Sequence, residues 1–159
     1  MTQEDKQLLL IDLCARLPYG VKVENTSFSE PQVHTLFGRV SDEEFLMLET
    51  YKSVGGEDYR RVTDDVHYTG YLESIKPYLR PMLSMTEEEE KEFCKISGLF
   101  KKEDGNYFSN HLSEWGNSII TEKVMVRTID WLNARQFDYR GLIPMGLALE
   151  APKDMYKTE

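Results

Sequence analysis

The 159-residue chain predicts an α+β fold: an N-terminal helix, a small antiparallel sheet of three to four strands, then C-terminal helices and an irregular tail. Three observations carry this reading. Residues 8–17 place apolar side chains at helical spacing. Residues 21–71 alternate apolar and polar residues in short runs, with no segment between them long enough for a crossover helix. Beyond Pro77 and Pro81 the helical period returns. The whole reads as one domain over residues 1–159. Residues 1–80 supply helix and sheet, and residues 81–159, mainly helical, pack on them.

The first helix opens at Thr2, a residue suited to an N-cap, with acidic residues in the first turn where the helix dipole favours them. Leu9, Leu10, Leu13, Cys14 and Leu17 mark its apolar face, and Pro18-Tyr19-Gly20 stops it. Val21 and Val23 then alternate with Lys22 and Glu24, the period of a half-buried strand. "QVHTLFGRV" is a second β-rich run, with His34 in its midst. "SDEEFLMLETY" suits either a helix or a strand; its strand-like neighbours and short connections favour a strand. The Gly55-Gly56 pair suggests a turn, followed by a further strand among Tyr59, Val62, Val66, Tyr68 and Tyr71.

Pro77 and Pro81 bracket Tyr78, Leu79 and Arg80, which predicts an extended, irregular connector. Thr86 followed by Glu89 has capping-box spacing, and Phe93, Ile96 and Phe100 form the apolar stripe of a short helix. A longer helix is expected from Ser118 to about Arg135, with Met125, Ile129 and Leu132 on one face and Val124 and Trp131 beside them. From Phe137 onward, Pro144 and Pro152 leave too few turns for a helix, and the segment is expected to fold back over the body.

Bulk chemistry narrows the function classes. The formal net charge is -9, from 28 acidic against 19 basic residues. Such a balance opposes non-specific contact with a phosphate backbone, so nucleic-acid binding starts behind protein binding without being excluded. The two cysteines, Cys14 and Cys94, read as buried free thiols. The acidic start with its short apolar run is unlike a signal peptide, and no stretch approaches a membrane span. The expected setting is the cytoplasm, with no membrane association.

Compact catalytic motifs are missing from the sequence. Gly55-Gly56 lacks the Lys-Ser/Thr pair of a phosphate loop, and the cysteines and histidines show no zinc spacing. "GNS" at 116–118 does not resemble a nucleophile elbow. Cys14 with His34, His67 or His111 is a formal nucleophile–base pair, but a thiol on an apolar helix face reads as inert. Asp42, Glu43, Glu44, Asp64, Asp65 and the run Glu87 to Glu90 are numerous enough to hold a metal if folding gathers them. A solvated face that complements a helix dipole is the simpler reading. No cofactor is expected.

Two groups of residues qualify as binding candidates. Tyr59, Arg60, Arg61, Tyr78 and Arg80 interleave basic and aromatic side chains, a pattern able to stack on bases and pair with phosphates. It equally suits half-buried tyrosines with arginines paired to Asp64 and Asp65. Asp138, Tyr139 and Arg140 form a compact polar run before Leu142, Ile143, Leu147 and Leu149. There Arg140 is expected to pair with a carboxylate of the body while the apolar residues fill a groove, or else dock on a partner.

The segments "LLLIDLCARLPYGVKV", "IKPYLRPM", "SMTEEE" and "FDYRGLI…GLALEAP" together resemble a recurrent class of short proteins encoded by gut anaerobic bacteria and by their phages and mobile elements. The match covers both ends and the central connector, whereas residues 25–69 have no counterpart in it. The class brings no established activity. The resemblance implies a bacterial or phage cytoplasmic setting. The expectation that follows is a non-enzymatic accessory protein acting on a protein partner, with the sheet region giving specificity. Nucleic-acid binding through the Tyr/Arg surface is the first alternative, and a metal-dependent enzyme using clustered carboxylates the second.

Overall fold

The computed structural model describes residues 1–27, 32–39, 41, 44–49, 67–101, 107–109 and 122–156. Helix α1 (Gln3–Arg16) begins with a full capping box, in which the Thr2 hydroxyl and the Asp5 carboxylate each satisfy the other residue's backbone N–H. It ends in a 3-10 turn over Leu17–Tyr19, closed by Gly20 at φ 64°, a left-handed conformation open to glycine.

Strands β1 (Lys22–Asn25), β2 (Gln32–Arg39), β3 (Glu44–Glu49) and β4 (His67–Tyr71) follow as an antiparallel series. The ambiguous "EEFLMLE" segment is therefore a strand, β3, as its neighbours suggested. Strand β5 (Ile75–Leu79) returns beside β1, and the two-residue β8 (Leu149–Glu150) pairs with it in parallel. The described sheet has six strands in the order β4-β3-β2-β1-β5-β8, larger than the three or four expected, and it is mostly antiparallel.

The two extra strands come from segments with poor strand credentials. Pro77 lies in the middle of β5 opposite Val23, where it cannot donate to a ladder. Tyr156 compensates from the C-terminal segment: its hydroxyl accepts from Lys22 N–H at 2.9 Å and donates to the Tyr78 carbonyl at 2.8 Å. A side chain thus completes the seam beside the proline.

The α1 helix covers one face of this sheet. Leu9 and Leu13 meet Val21, Val23, Leu36, Phe45, Ile75 and Leu79, and Leu142, Leu147 and Ala148 close the aliphatic core from the tail. Leu10, Cys14 and Leu17 are only partly buried against it.

Helix α2 (Glu87–Ser97) starts at the expected Thr86–Glu89 capping box and stops at left-handed Gly98. A small hairpin, β6 (Leu99–Lys101) with β7 (Tyr107–Ser109), precedes α3 (Glu122–Ala134). Phe93, Trp131, Leu132 and Phe137 form a second, aromatic core between the helices. The Phe93–Trp131 ring contact and the Glu92–Arg135 ion pair join α2 to α3. The expected packing face of α3 is corrected: Trp131 and Leu132 are buried, but Met125 and Ile129 are exposed.

Candidate functional site

The exit from α3 organises the polar residues of the tail through backbone geometry. Gln136 takes φ 58°, and its N–H bonds to the Asn133 carbonyl while Phe137 N–H bonds to that of Leu132, each at 3.0 Å. This double bond pattern closes the helix as a Schellman motif. A left-handed glutamine costs about 1 kcal/mol or more, which neighbouring contacts must offset. The Gln136 amide donates to the Tyr19 carbonyl at 3.1 Å, and its own carbonyl accepts from Arg80 N–H at 2.7 Å.

Arg80 is the hub of the arrangement. Its backbone is bound twice to the tail, through Gln136 and through Asp138 N–H to the Arg80 carbonyl at 2.8 Å. Its guanidinium grips both carboxylate oxygens of Glu89 at 2.7 Å and lies over the Phe137 ring, 4.2 Å from the centroid. The Arg80 bond and the capping bond from Thr86 N–H hold the Glu89 carboxyl below the usual glutamate range.

From this hub the chain enters a 3-10 turn, Met82–Ser84. Ser84 binds the Pro81 carbonyl through both its N–H and its hydroxyl, at 2.9 and 2.7 Å. The turn holds Leu83 outward at 86% exposure, the most exposed large apolar side chain among the described residues. Exposed Glu87 and Glu88 begin the next helix beside it.

The tail candidates are woven into the same framework. Asp138 accepts from Leu142 N–H and Ile143 N–H, one per carboxylate oxygen, both at 2.8 Å, and so folds the loop that buries Leu142. Tyr139 donates to Asn133 at 3.0 Å and presents its ring to Arg16 and Arg140. Arg140 Nε lies 3.2 Å from Asp12 Oδ1, so the expected carboxylate partner is on α1. The tail through residue 156 therefore packs on its own body.

Asp12 and Arg16 escaped the sequence reading. They form a wholly buried pair, with Arg16 Nε and Nη2 on the two carboxylate oxygens at 2.7 and 3.0 Å. Arg16 Nη2 also donates to the Phe137 carbonyl at 2.9 Å, tying α1 to the tail, while Nη1 has no hydrogen bond among the described residues. Their i,i+4 spacing on a helix was the available signal.

Of the Tyr/Arg candidates, Tyr78 and Arg80 are described, and each is engaged within the fold, Tyr78 with Glu24 and Arg80 with Glu89. Tyr59, Arg60 and Arg61 lie outside the described residues, as do Asp42, Glu43, Asp64, Asp65 and His111. Tyr78 donates to Glu24 at 2.7 Å; burial first, then that bond, pushes its phenol up to about 12. Burial likewise raises the Tyr156 phenol. Among the described residues, no group of three or more His, Cys, Asp or Glu side chains is placed to hold a metal ion. His34 is fully buried, and Cys14 and Cys94 are free and partly buried. No described helix is long and apolar enough to cross a membrane. Comparison with family models, curated proteins and solved structures finds no match.

Proposed function

We propose that this is a non-enzymatic accessory protein of a phage or mobile element, acting in the cytoplasm by binding a host or phage protein. The observation that carries the reading is the Leu83 turn. An apolar side chain held in water by a turn with two bonds to one carbonyl has little conformational entropy to lose on docking. The acidic start of α2 beside it favours a partner with basic residues around an apolar pocket. The resemblance to phage and mobile-element proteins supports the setting, and residues 25–69, which it leaves unmatched, are where partner specificity is proposed to reside.

The test is retention of tagged protein partners from host lysate, with nuclease, at two salt concentrations, comparing wild type with Leu83→Ser. The expected result is one stoichiometric protein that survives nuclease and high salt and is lost from the variant at unchanged melting temperature. Equal retention by both proteins removes Leu83 from the reading. Loss of all retained material on nuclease treatment favours nucleic acid instead.

A further inference from the structure

The segment between Arg80 and Thr86 is held at its two ends by hydrogen bonds and in its middle by two methionines. At one end the Arg80 backbone is bound to Gln136 and Asp138, and at the other Thr86 and Glu89 form the capping box of α2. Between these anchors, Ser84 bonds to the Pro81 carbonyl through its N–H and its hydroxyl. Two further bonds are long: Met85 N–H to the Met82 carbonyl and Arg80 Nη2 to the Ser84 carbonyl, each at 3.4 Å. Met82 and Met85 are half-buried and pack against the second core of Phe93, Trp131, Leu132 and Phe137. They flank Leu83, so two thioethers face the aromatic rings while the side chain between them stands in water. Met1, Met125 and Met145 are exposed.

We propose that Met82 and Met85 are an oxidation site for peroxide, and that their conversion to sulfoxide releases the Leu83 turn without unfolding the body. A sulfur lone pair attacks one peroxide oxygen, the S–O bond forms and the O–O bond breaks. The proton of the transferred oxygen passes to the departing one, which leaves as water; the sulfur is oxidised and the peroxide reduced. A thioether packs on aromatic rings without a hydrogen-bond partner, whereas a sulfoxide is polar and loses free energy when it is buried there. Both side chains therefore turn toward water and carry the turn with them. Arg80 and Thr86 keep their own hydrogen bonds, so the movement is confined to residues 81–85. That release weakens docking rests on the Leu83 reading above; the release itself does not.

Chymotrypsin cleavage of the Leu83–Ser84 bond in the full chain, followed by mass spectrometry before and after hydrogen peroxide treatment, tests this without a partner. Wild type carrying sulfoxide at Met82 and Met85 is expected to be cut there about tenfold faster, because cleavage follows local opening. Circular dichroism should still report a folded chain. Met82→Leu with Met85→Leu keeps the apolar volume and both cysteines. Its cleavage rate should not respond to peroxide, although Met1, Met125 and Met145 oxidise in both proteins. Each single variant should show a smaller rise than wild type, which keeps the test available if the double variant does not fold. Sulfoxide at both positions with an unchanged or slower cut overturns the proposal; a new bond from the buried Trp131 Nε1–H would give that result. So does an equal rise in the double variant, or a wild type whose Met82 and Met85 resist peroxide while its exposed methionines oxidise. A faster cut in a protein whose Leu83→Ser variant still retains its partner supports the oxidation site and removes only its effect on docking.

Discussion

Two arginine–carboxylate pairs fasten the same tail to the body, and their surroundings differ. Arg16–Asp12 is wholly buried, whereas Arg80–Glu89 keeps side-chain exposures of 22% and 19%. Both arginines make two contacts to their carboxylate, both lie against an aromatic ring of the tail, and both residues are bound to its backbone. The buried pair has lost its water, so removal of one partner strands the other. The peripheral pair can be replaced in part by solvent, so it shapes a surface turn at lower energetic stake. Depth, more than bond count, separates anchoring of the fold from presentation of a surface.

The largest effect therefore belongs to Asp12. Asp12→Ala leaves Arg16 buried without its carboxylate and deprives Arg140 of its counter-charge. The expected loss is about 3–5 kcal/mol. In a chain of this size that lowers the melting temperature on the order of 10 °C. Replacing the pair together, Asp12→Leu with Arg16→Met, should recover most of the loss, because apolar groups of similar size need no partner. A double variant as unstable as Asp12→Ala would mean that the Arg16 bond to the Phe137 carbonyl, and not the desolvated charge, dominates.

Glu89 comes next. Glu89→Gln should destabilise by about 1–2 kcal/mol at neutral pH, since it removes a charged acceptor shared by Arg80 and the Thr86 cap. The folded-state pKa of Glu89 is depressed, so its contribution is fully present above the unfolded glutamate value and is lost as pH falls through the folded value. Urea titrations from neutral to acidic pH should show the gap between wild type and variant closing. A gap constant over that range would show that hydrogen bonding without charge suffices.

What was legible in the sequence divides along local and non-local lines. Thr2 with Asp5 and Thr86 with Glu89 announce their helices within three residues, and Val21 and Val23 alternate over a few positions. The α+β class followed from such local signals. The end of α3 was less clear because its left-handed residue is Gln136 where a glycine would have marked the stop. Strand β5 was hidden by Pro77, since the group that completes its seam is the hydroxyl of Tyr156, far away in sequence. The packing of α3 failed for a related reason: periodicity finds apolar positions but not which of them tertiary contacts bury, here Trp131 and Leu132 and not Met125 and Ile129. At the candidate site, Arg140 could be expected to meet a carboxylate, but that the carboxylate is Asp12 on α1 is a tertiary fact.

The smallest expected effect concerns the partly buried tyrosine on the far side of β5 from the core. Tyr78 is neutral in the fold because burial and its bond to Glu24 disfavour the phenolate, placing its pKa at about 12 against 10.0 for a free tyrosine. A folded-state value above the unfolded one means that the contribution is intact below the unfolded pKa. It is lost as pH rises through the folded pKa, so the window is roughly pH 10 to 12. Tyr78→Phe should leave stability almost unchanged at neutral pH, having removed one partly exposed hydrogen bond worth about 1 kcal/mol or less. In the alkaline window its stability should fall less steeply than that of wild type, while Tyr156, also raised by burial, still titrates late in both. Phenolate absorbance followed against pH reads this directly, as one late-titrating tyrosine missing from the variant. If the late phase is the same size in both proteins, Tyr78 is not a late-titrating phenol, and neither burial nor the bond to Glu24 raises its pKa.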